Sequence, residues 1–555
     1  MITHDRHLRS VNHDAALVFL TAVLGRLPAL GAWWNRDDWG LLARASGLIG
    51  GDDLPARWLS TVLYWDLGLP LFGLSPDPWT WTRLLLHGAV AALTVRLAAR
   101  LDFGPAARLA AGLLVVVTPL AFTPLYWAAG VQELLGAALA LAAIERVLAG
   151  GGRNLALAAI VGTAAILSKE NALLLPLLLG GMAAARPGRD RRPLAMIAVG
   201  LGMIAIMESL IVLRHFALGG GSSYVVELLA PLPNLTQYGW WMITPWPTFT
   251  ARWTPLVGAG GLAMWSLWGT YAWHGRGHGD LRPLALFAAA MLSLAPVLAL
   301  RSHVFPYYAY LAWIPAALTL AGALCGRLAA TPRPATTLGV ALLAAALAWG
   351  GTTVRLKARG DDGLSSDPTV LATALSHHVL EVLTQLPGEP DEVVILRPDV
   401  DRSGRARPSR LHAALAGDLG LQIGLPDGPE VRWAETLTGI KRDVLVVADD
   451  DTRIRYWGPS IQARLNLVLT RIGQGRPGEA ADLLLRTLQG ADQTLPVMFD
   501  ASMLTVPIGT VIEHAPEFLA AIDGAQGDPH ERAALRAAAD RILEMADVRP
   551  DPVLP

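Results

Sequence analysis

The sequence predicts an α-helical polytopic membrane domain, residues 1–354, followed by a soluble α/β domain, residues 355–555. Of the 555 residues 53% are hydrophobic and only 16% are charged, whereas soluble chains carry about 25% charged residues. The deficit is uneven, because residues 1–354 hold 24 Lys and Arg and 16 Asp and Glu, against 21 and 30 in residues 355–555. An ordinary soluble enzyme is therefore excluded, and no basic nucleic-acid-binding region stands out.

Apolar runs bounded by Arg, Pro or Gly predict eleven transmembrane helices. They occupy residues 15–34, 84–100, 109–127, 131–147, 155–167, 172–185, 194–213, 256–273, 283–300, 304–323 and 338–354. Two of them, 155–167 and 172–185, are shorter than the roughly 20 residues that a crossing helix needs. Merging these two would place the arginines of residues 186–192 outside and invert everything downstream, so we predict two short helices that meet at Ser168-Lys169-Glu170.

The arginines orient the predicted helices. Most lie on one side of the predicted spans, among them Arg96, Arg100, Arg146 and the cluster in 186–192, and the positive-inside rule places that side in the cytoplasm. The loops 35–83 and 214–255 and the tail then lie outside. We expect a multi-pass protein of the cytoplasmic (inner) membrane whose first helix is retained, since no small-residue cleavage site is evident.

The tail alternates between helical and strand patterns. Helical patterns cover 371–387, 459–490 and 529–547, and strand-like runs cover 392–396 and 444–448. The chain has one cysteine, Cys325, which cannot form an intrachain disulfide. An exported tail therefore folds without covalent crosslinks.

An acidic pair, Asp37-Asp38, follows the first predicted span directly. Carboxylates at the outer water boundary can act as a general base or hold a divalent cation such as Mg²⁺ or Mn²⁺. The alternative is a solvated turn with a capping aspartate.

Ionisable residues inside or beside a bilayer are costly and are functional candidates. Lys169 is the only lysine among residues 1–354 and stands next to Glu170, while Glu133 and Glu208 lie in the outer parts of spans. The alternatives are a structural ion pair for Lys169 and helix-packing hydrogen bonds for the glutamates.

A second set of candidates is cationic or polar and lies at the outer ends of spans. It comprises His87, Arg214, Arg301 and His303, the last followed by Tyr308. Guanidinium groups bind phosphate through two parallel hydrogen bonds, so these residues could receive a phosphate; the alternative is snorkelling at the interface. Walker A, HExxH and strand-linked GxGxxG motifs are absent from the sequence, so nucleotide-driven transport lacks its usual markers.

An ordered set of short motifs spreads over residues 15–325. In chain order it comprises Asp37-Asp38, Leu71-Phe72-Gly73-Leu74, Arg83-Leu84-Leu85-Leu86-His87, Pro119, Tyr126-Trp127, Gln132-Glu133-Leu134-Leu135, Ser168-Lys169-Glu170-Asn171 and Pro306-Tyr307-Tyr308-Ala309-Tyr310. The set resembles the GT-C superfamily of integral-membrane glycosyltransferases, especially bacterial relatives of protein O-mannosyltransferases and of aminoarabinose and mannosyl transferases.

The resemblance implies a polyprenyl-phosphate-linked sugar donor, used on the extracytoplasmic face, and a protein, lipid or glycan acceptor. Asp37 or Asp38 would be the base, and some members hold a divalent metal at this pair. The residues implied on the phosphate side are Lys169, Arg214 and Arg301, with His87, Glu133, Glu170, His303 and Tyr308 as further candidates.

Two other classes of function stay open at this stage. A secondary transporter or lipid flippase could use Lys169, Glu170, Glu133 and Glu208 as an ion path, although such transporters usually show paired repeats with matching broken helices and only one break is predicted here. A transferase of another fold, similar to O-antigen ligases or polymerases, is the remaining alternative.

Overall fold

The structure is a computed structural model. It describes residues 2–50, 56–185, 191–217, 225–244, 255–301, 303–329, 367–384, 392–396, 410–426, 430–434, 445–449, 454–459, 468–469, 471–489, 496–499, 502–505 and 516–546. Contacts divide the chain into two compact units, Met1–Thr373 and Ala374–Pro555.

The first unit is helical in nearly all of its described residues. Its helices are α1 Ile2–Gly25, α2 Asp37–Ala45, α3 Tyr64–Phe72, α4 Pro76–Arg100, α5 Pro105–Val117, α6 Phe122–Tyr126, α7 Val131–Ala149, α8 Gly152–Ile166, α9 Leu175–Ala185, α10 Arg191–Ala217, α11 Pro231–Ile243, α12 Pro255–Gly277, α13 Arg282–Leu298 and α14 Tyr310–Ala329. Each of the ten apolar runs between residues 15 and 323 overlaps one of these helices, and the run 338–354 lies outside the described residues.

Three helices are long and apolar enough to cross a membrane among the residues that the structure describes: Pro76–Arg100, Arg191–Arg214 and Pro306–Cys325. A fourth candidate is the bent pair Pro105–Val117 and Pro119–Tyr126, whose axes differ by 44°. The bend interrupts the predicted span 109–127 because Pro119 lacks a backbone N–H and disfavours helical geometry at the preceding residue.

The predicted junction between two short helices is present. Helix α8 ends at Ile166, α9 begins at Leu175, and a 3₁₀ turn covers Glu170–Ala172 between them. The polar side chains of this junction are all buried. The side chains of Lys169, Glu170 and Asn171 are bonded to other parts of the unit.

Helix α4 lies at the centre of the unit, where it packs against α1, α5 and α7. A second apolar cluster joins α7, α8, α9 and α10. The outer face of α10 is apolar and open, with Met196, Met203 and Leu210 exposed by 74%, 65% and 62%. Such a face is suited to contact with lipid.

Three arginines converge on one buried carboxylate at the C-terminal end of α7. Glu145 is 1% exposed and lies 3.4 Å from Arg96, 3.2 Å from Arg100 and 3.2 Å from Arg146. Helix α7 has 19 residues and is therefore about 28 Å long, close to the hydrocarbon thickness of a bilayer. Its two ends are thus separated by about the depth of a membrane.

The loop between α1 and α4 folds around a cluster of indole rings. Trp34, Trp65 and Trp79 are at most 1% exposed, and their ring centroids lie 5.0 to 6.1 Å apart. Trp34 Nε1 donates to the carbonyl of Leu74, and Trp79 Nε1 donates to that of Gly73. The cluster gives this loop an apolar core of its own.

The second unit contains the described strands. Strands β1 Glu392–Leu396, β2 Glu430–Ala434, β3 Leu445–Asp449 and β4 Ile454–Pro459 form a sheet of order β2-β1-β3-β4, in which β1 is parallel to β2 and β3, and β4 is antiparallel to β3. A hairpin joins β5 Pro496–Phe499 to β6 Ser502–Thr505. The predicted strand 392–396 coincides with β1, and β3 is displaced by one residue from 444–448. Helices cover Arg410–Ala414, Leu419–Gly424, Pro477–Gln489, Pro516–Asp523 and Pro529–Ala546. A further helix, Pro368–Thr384, overlaps the predicted helical pattern 371–387, and its first residues belong to the first unit.

Candidate functional site

A polar cavity of about 200 Å³ opens where α2 and α7 begin and where α8 is interrupted. Aspartate, glutamate, arginine, lysine and aromatic side chains share its wall. The lining residues are Arg36, Asp37, Arg57, Thr123, Trp127, Ala129, Gly130, Gln132, Glu133, Lys169, His303, Phe305, Tyr307 and Tyr308. The cavity therefore brings together five of the residues predicted from the sequence: Asp37, Glu133, Lys169, His303 and Tyr308.

The two aspartates of the acidic pair differ in their surroundings. Asp38 is completely buried, and its carboxylate accepts backbone N–H groups from Asn35 at 3.0 Å and from Ala129 at 2.7 Å. Asp37 lines the cavity and is open to solvent. Asp38 therefore ties the start of α2 to the segment before α7, and Asp37 is the carboxylate that a ligand can reach.

Burial raises the pKa of Asp38 to about 7, although the N–H groups of Asn35 and Ala129 oppose the rise. Partial enclosure by protein also raises the pKa of Asp37, and the positive charges of Arg36, Arg57, Lys169 and His303 oppose it.

The raised pKa of Asp38 predicts that the stability of the first unit depends on pH. A buried carboxyl whose pKa is raised from 3.8 to about 7 binds its proton more tightly in the folded state, so its contribution to stability is full below pH 4 and is lost as the pH rises through 7. Thermal unfolding of the purified protein between pH 5 and 8 should show this loss, and it should shrink in Asp38→Asn. Equal pH dependence in the two proteins would contradict the assignment.

Lys169 is held by two carboxylates and an aromatic ring. Its Nζ lies 2.9 Å from Glu133 Oε1, 3.4 Å from Glu170 Oε1 and 5.0 Å from the centre of the Tyr308 ring. Gly136 of α7 permits this approach, because a Cβ at that position would lie 3.0 Å from Lys169 Cβ. The junction between α8 and α9 thus delivers an ammonium group to the cavity wall.

Arg57 is a site residue that the sequence analysis missed. Its guanidinium forms two contacts with Glu170, at 2.7 and 2.8 Å, and donates to Gln132 at 2.9 Å. Its backbone N–H donates to Glu208 at 2.6 Å. Its position in loop 35–83 could have indicated it. This loop lies on the predicted outer side of the membrane, whereas most arginines of residues 1–354 lie on the predicted cytoplasmic side.

Two arginines of the cavity wall have strained backbones. Arg36 has φ +52° and Arg57 has φ +58°, and only two other non-glycine residues have positive φ in the described part of the chain. Left-handed backbone is costly for side chains of this size and is found where the surroundings fix it, often at functional sites. The strain here is concentrated at the cavity.

Besides Asp38 and Glu208, four predicted residues lie away from the cavity lining. His87 is buried inside the helix bundle, with Nδ1 2.8 Å from Tyr310 Oη and Nε2 3.4 Å from the carbonyl of Val116. Arg214 is exposed on α10, and Arg301 is 69% exposed and 3.5 Å from Glu227. Glu170 lies behind the wall, where it holds Arg57 and Lys169.

The cavity does not fit a divalent metal ion. Among the described residues, no group of three or more His, Cys, Asp or Glu side chains is arranged to hold one. Both oxygens of Asp38 already accept N–H groups, and cationic side chains surround Asp37. This donor set favours an anionic ligand, because the metal would meet positive charges and a single open carboxylate.

An apolar groove of about 340 Å³ begins beside the junction that carries Lys169. Asn171 and Ala172 lie at this end, and Asn171 Nδ2 donates to the carbonyl of Tyr308 at 2.8 Å. Leu101 and Arg282 lie at the other end, and nearly all side chains between them are aliphatic. The groove thus extends from the neighbourhood of the cavity along the helices.

No known family model and no curated protein matches the chain, but solved structures do. The oligosaccharyltransferase AglB from Archaeoglobus fulgidus, in complex with an inhibitory peptide and a dolichol-phosphate, has a TM-score of 0.43 and 12% identity, covering 70% of this chain and 59% of that chain. The same enzyme tethered with an acceptor peptide has a TM-score of 0.43 and 12% identity over 77% and 65%. ArnT from Cupriavidus metallidurans, bound to undecaprenyl phosphate, has a TM-score of 0.39 and 15% identity over 78% and 92%.

Both similar enzymes are membrane glycosyltransferases of the GT-C superfamily, the superfamily that the sequence resembles. The chain covers between 58% and 65% of the length of the archaeal oligosaccharyltransferase structures. The TM-scores of these structures lie below 0.5.

Proposed function

We propose that the protein is a membrane glycosyltransferase, which moves a sugar from a polyprenyl-phosphate-linked donor to a hydroxyl group of a protein, lipid or glycan. One observation carries the proposal: a single open carboxylate, Asp37, shares a small cavity with the cations of Arg57 and Lys169. A base and a set of cations are the two requirements of transfer from a phosphate ester.

The transfer step divides between these groups. The acceptor oxygen attacks the anomeric carbon while its proton passes to the carboxylate of Asp37, and the bond from that carbon to the phosphate oxygen breaks with its electron pair on the phosphate. Lys169 has three N–H donors, two of them directed at Glu133 and Glu170, which leaves a third for the phosphate. Arg57 adds a second positive charge at the wall.

The apolar groove supports a donor with a long hydrocarbon chain. It starts two residues beyond Lys169, at Asn171, and its lining is almost entirely aliphatic. A polyprenyl chain laid in the groove could end with its phosphate near Asn171, two residues along the chain from Lys169. Transfer from water to an apolar site contributes about 0.8 kcal/mol for each CH₂ group. A chain in the bilayer is already in an apolar environment, so the groove mainly orients it.

Aromatic side chains on the cavity wall support a sugar ligand. Phe305 and Tyr307 are stacked with centroids 5.3 Å apart, and Trp127 lies edge-on to Tyr307 at 5.9 Å. These rings offer apolar faces against which the C–H groups of a sugar ring can pack. Twelve of the 19 tryptophans fall at or beyond the predicted outer surface, and among the described residues Trp127 is the one that lines the cavity.

The ends of α7 support an extracytoplasmic site in the inner membrane. Glu133 and the cavity lie at its N-terminal end, and Glu145 with its three arginines lies about one membrane depth away at the other end. By the positive-inside rule the arginine end is cytoplasmic. The cavity then opens on the outer face, to which we also assign the domain 355–555.

Mass spectrometry of envelope lipids and glycoproteins, from cells with and without the gene, tests the proposed function. We expect a polyprenyl-linked sugar to accumulate without the gene and the modified acceptor to disappear. Unchanged lipids and acceptors would contradict the proposal. Movement of the lipid-linked sugar across liposome membranes by the purified protein, without transfer, would instead support a flippase.

Lys169→Arg should weaken binding of the lipid phosphate more than it lowers expression. The guanidinium is larger and planar, and the ammonium sits in a tight place between Glu133, Glu170 and the ring of Tyr308. We expect about a tenfold loss in affinity, equal to about 1.4 kcal/mol, in a titration with polyprenyl phosphate in detergent. Equal donor binding would leave Lys169 a packing role only.

A further inference from the structure

The turn that carries Asp37 is bonded to a segment more than 330 residues later in the chain. Asn35 Nδ2 donates to Thr373 Oγ1 at 3.0 Å, and Arg36 Nη2 donates to the carbonyl of Pro368 at 3.2 Å. All four residues belong to the first unit. Asn35 is fully buried and Thr373 is 7% exposed, so this contact is largely shielded from water.

The bonded turn is also the strained one. Arg36, directly before Asp37, has φ +52° and ψ −122°, a conformation that persists only where the surroundings enforce it. Local hydrogen bonds close the turn, from Asp38 N–H to the carbonyl of Asn35 at 3.1 Å and from Asn35 N–H to the Asp38 carboxylate at 3.0 Å. These bonds lie within the turn itself and do not fix its orientation in the unit.

Hydrogen bonds to two other segments help to orient the turn, whose neighbours Trp34 and Trp39 are also buried. Asp38 is anchored to Ala129 on one side, and Asn35 and Arg36 are anchored to residues 368 and 373 on the other. Asp37 lies between these two anchors. A small rotation of the turn would therefore move its carboxylate relative to Lys169 and Arg57.

We propose that the segment 367–373 positions the proposed base, with Thr373 as the main positioning residue, through its bond to Asn35. The inference rests on the proposed function for its kinetic consequence. Misplacing a reacting group by about 1 Å can cost two orders of magnitude in rate. Loss of one of the anchors should cost less, about tenfold, in kcat.

Thr373→Val tests this inference, because it keeps the shape of the side chain and removes the oxygen that accepts the Asn35 amide. We expect kcat for sugar transfer to fall about tenfold with little change in the KM for the donor, whose cations are untouched. Thr373→Ser should restore kcat. Amide hydrogen exchange of residues 33–41 should rise in the valine variant and return to normal in the serine variant.

Thr369→Val is the matched control. Thr369 lies in the same segment, is 1% exposed, and its hydroxyl has no hydrogen-bond partner among the described residues. The variant should leave both kcat and the exchange of residues 33–41 unchanged.

Three results would overturn the inference: unchanged exchange in Thr373→Val, faster exchange without loss of kcat, or an equal loss of kcat in Thr369→Val. A wild-type protein that transfers no sugar would instead count against the proposed function. The exchange measurement would then still decide whether residues 367–373 hold the turn.

Discussion

Asp37→Asn is expected to lower the rate of sugar transfer by about 10² to 10⁴-fold, the range that a positioned general base contributes. The amide is nearly the same size as the carboxylate but cannot take the acceptor's proton. Because Asp37 lies open on the cavity wall, we expect the variant to fold and to insert in the membrane normally. Transfer of a labelled sugar from a polyprenyl-phosphate donor by purified protein is the measurement.

Asp66→Asn is the matched control for this variant. Asp66 belongs to the same loop and pairs with Arg44 at 2.9 Å, but its side chain is 45% exposed and lies outside the cavity lining. It should retain full transfer. A fully active Asp37→Asn would remove the base assignment, whereas equal losses in both variants would indicate damage to the loop.

Arg57→Met is expected to cause a large loss of stability in the first unit. The change removes the main partner of Glu170, which is 7% exposed, and leaves that carboxylate with Lys169 at 3.4 Å. Removing one member of a buried ion pair typically costs about 3–5 kcal/mol. Thermal unfolding in detergent, followed by protein fluorescence, should show a clear drop in Tm.

Adding Glu170→Gln to Arg57→Met should recover part of this loss, because no unpaired charge then remains buried. Asp66→Asn, which weakens the pair between Arg44 and the 45% exposed Asp66, should cost about 0–1 kcal/mol and serves as the control. If Arg57→Met and Asp66→Asn lowered Tm equally, the network around Arg57 would have no special structural role.

Hydropathy predicted where ten of the helices lie, because apolar runs in this composition form helices that bury or expose apolar surface. Only three described helices are long and apolar enough to cross a membrane, so the number of spans stays a prediction. The interruption between α8 and α9 was also predictable, since the run Ser168-Lys169-Glu170-Asn171 cannot remain in an apolar helix without partners. Exact ends were less predictable. Helix α1 ends at Gly25 and α5 at Val117, where prolines shortly afterwards interrupt apolar runs that continue to residues 34 and 127.

The site was predictable in its components but less so in its connections. The sequence places Asp37 and Asp38 at the same level of the membrane. It gives no reason to assign one of them a buried structural role and the other an open position on the cavity wall. Their different environments depend on the N–H of Ala129, 91 residues away. Arg57 was missed because its partners Gln132, Glu170 and Glu208 lie 75, 113 and 151 residues away.

Depth in a membrane can be inferred from sequence, but lateral position cannot. Arg214 and Arg301 were chosen because they lie near the outer ends of spans, yet Arg214 is exposed on α10 and Arg301 pairs with exposed Glu227. The sequence places His87 at the outer end of the second predicted span. Its partners, Tyr310 and the carbonyl of Val116, satisfy it inside the bundle.

The packed indoles of Trp34, Trp65 and Trp79 provide the loop between α1 and α4 with an intrinsic optical label. Rings this close couple their electronic transitions, so the folded loop should give a strong near-ultraviolet circular dichroism band that vanishes when the rings separate. Trp34 directly precedes Asn35 and the turn that carries Asp37. A second stacked indole pair, Trp265 and Trp268 at 5.6 Å, contributes to the same spectral region. The change in the band between wild type and variant would therefore report the integrity of the loop that carries the proposed base, without attachment of a dye.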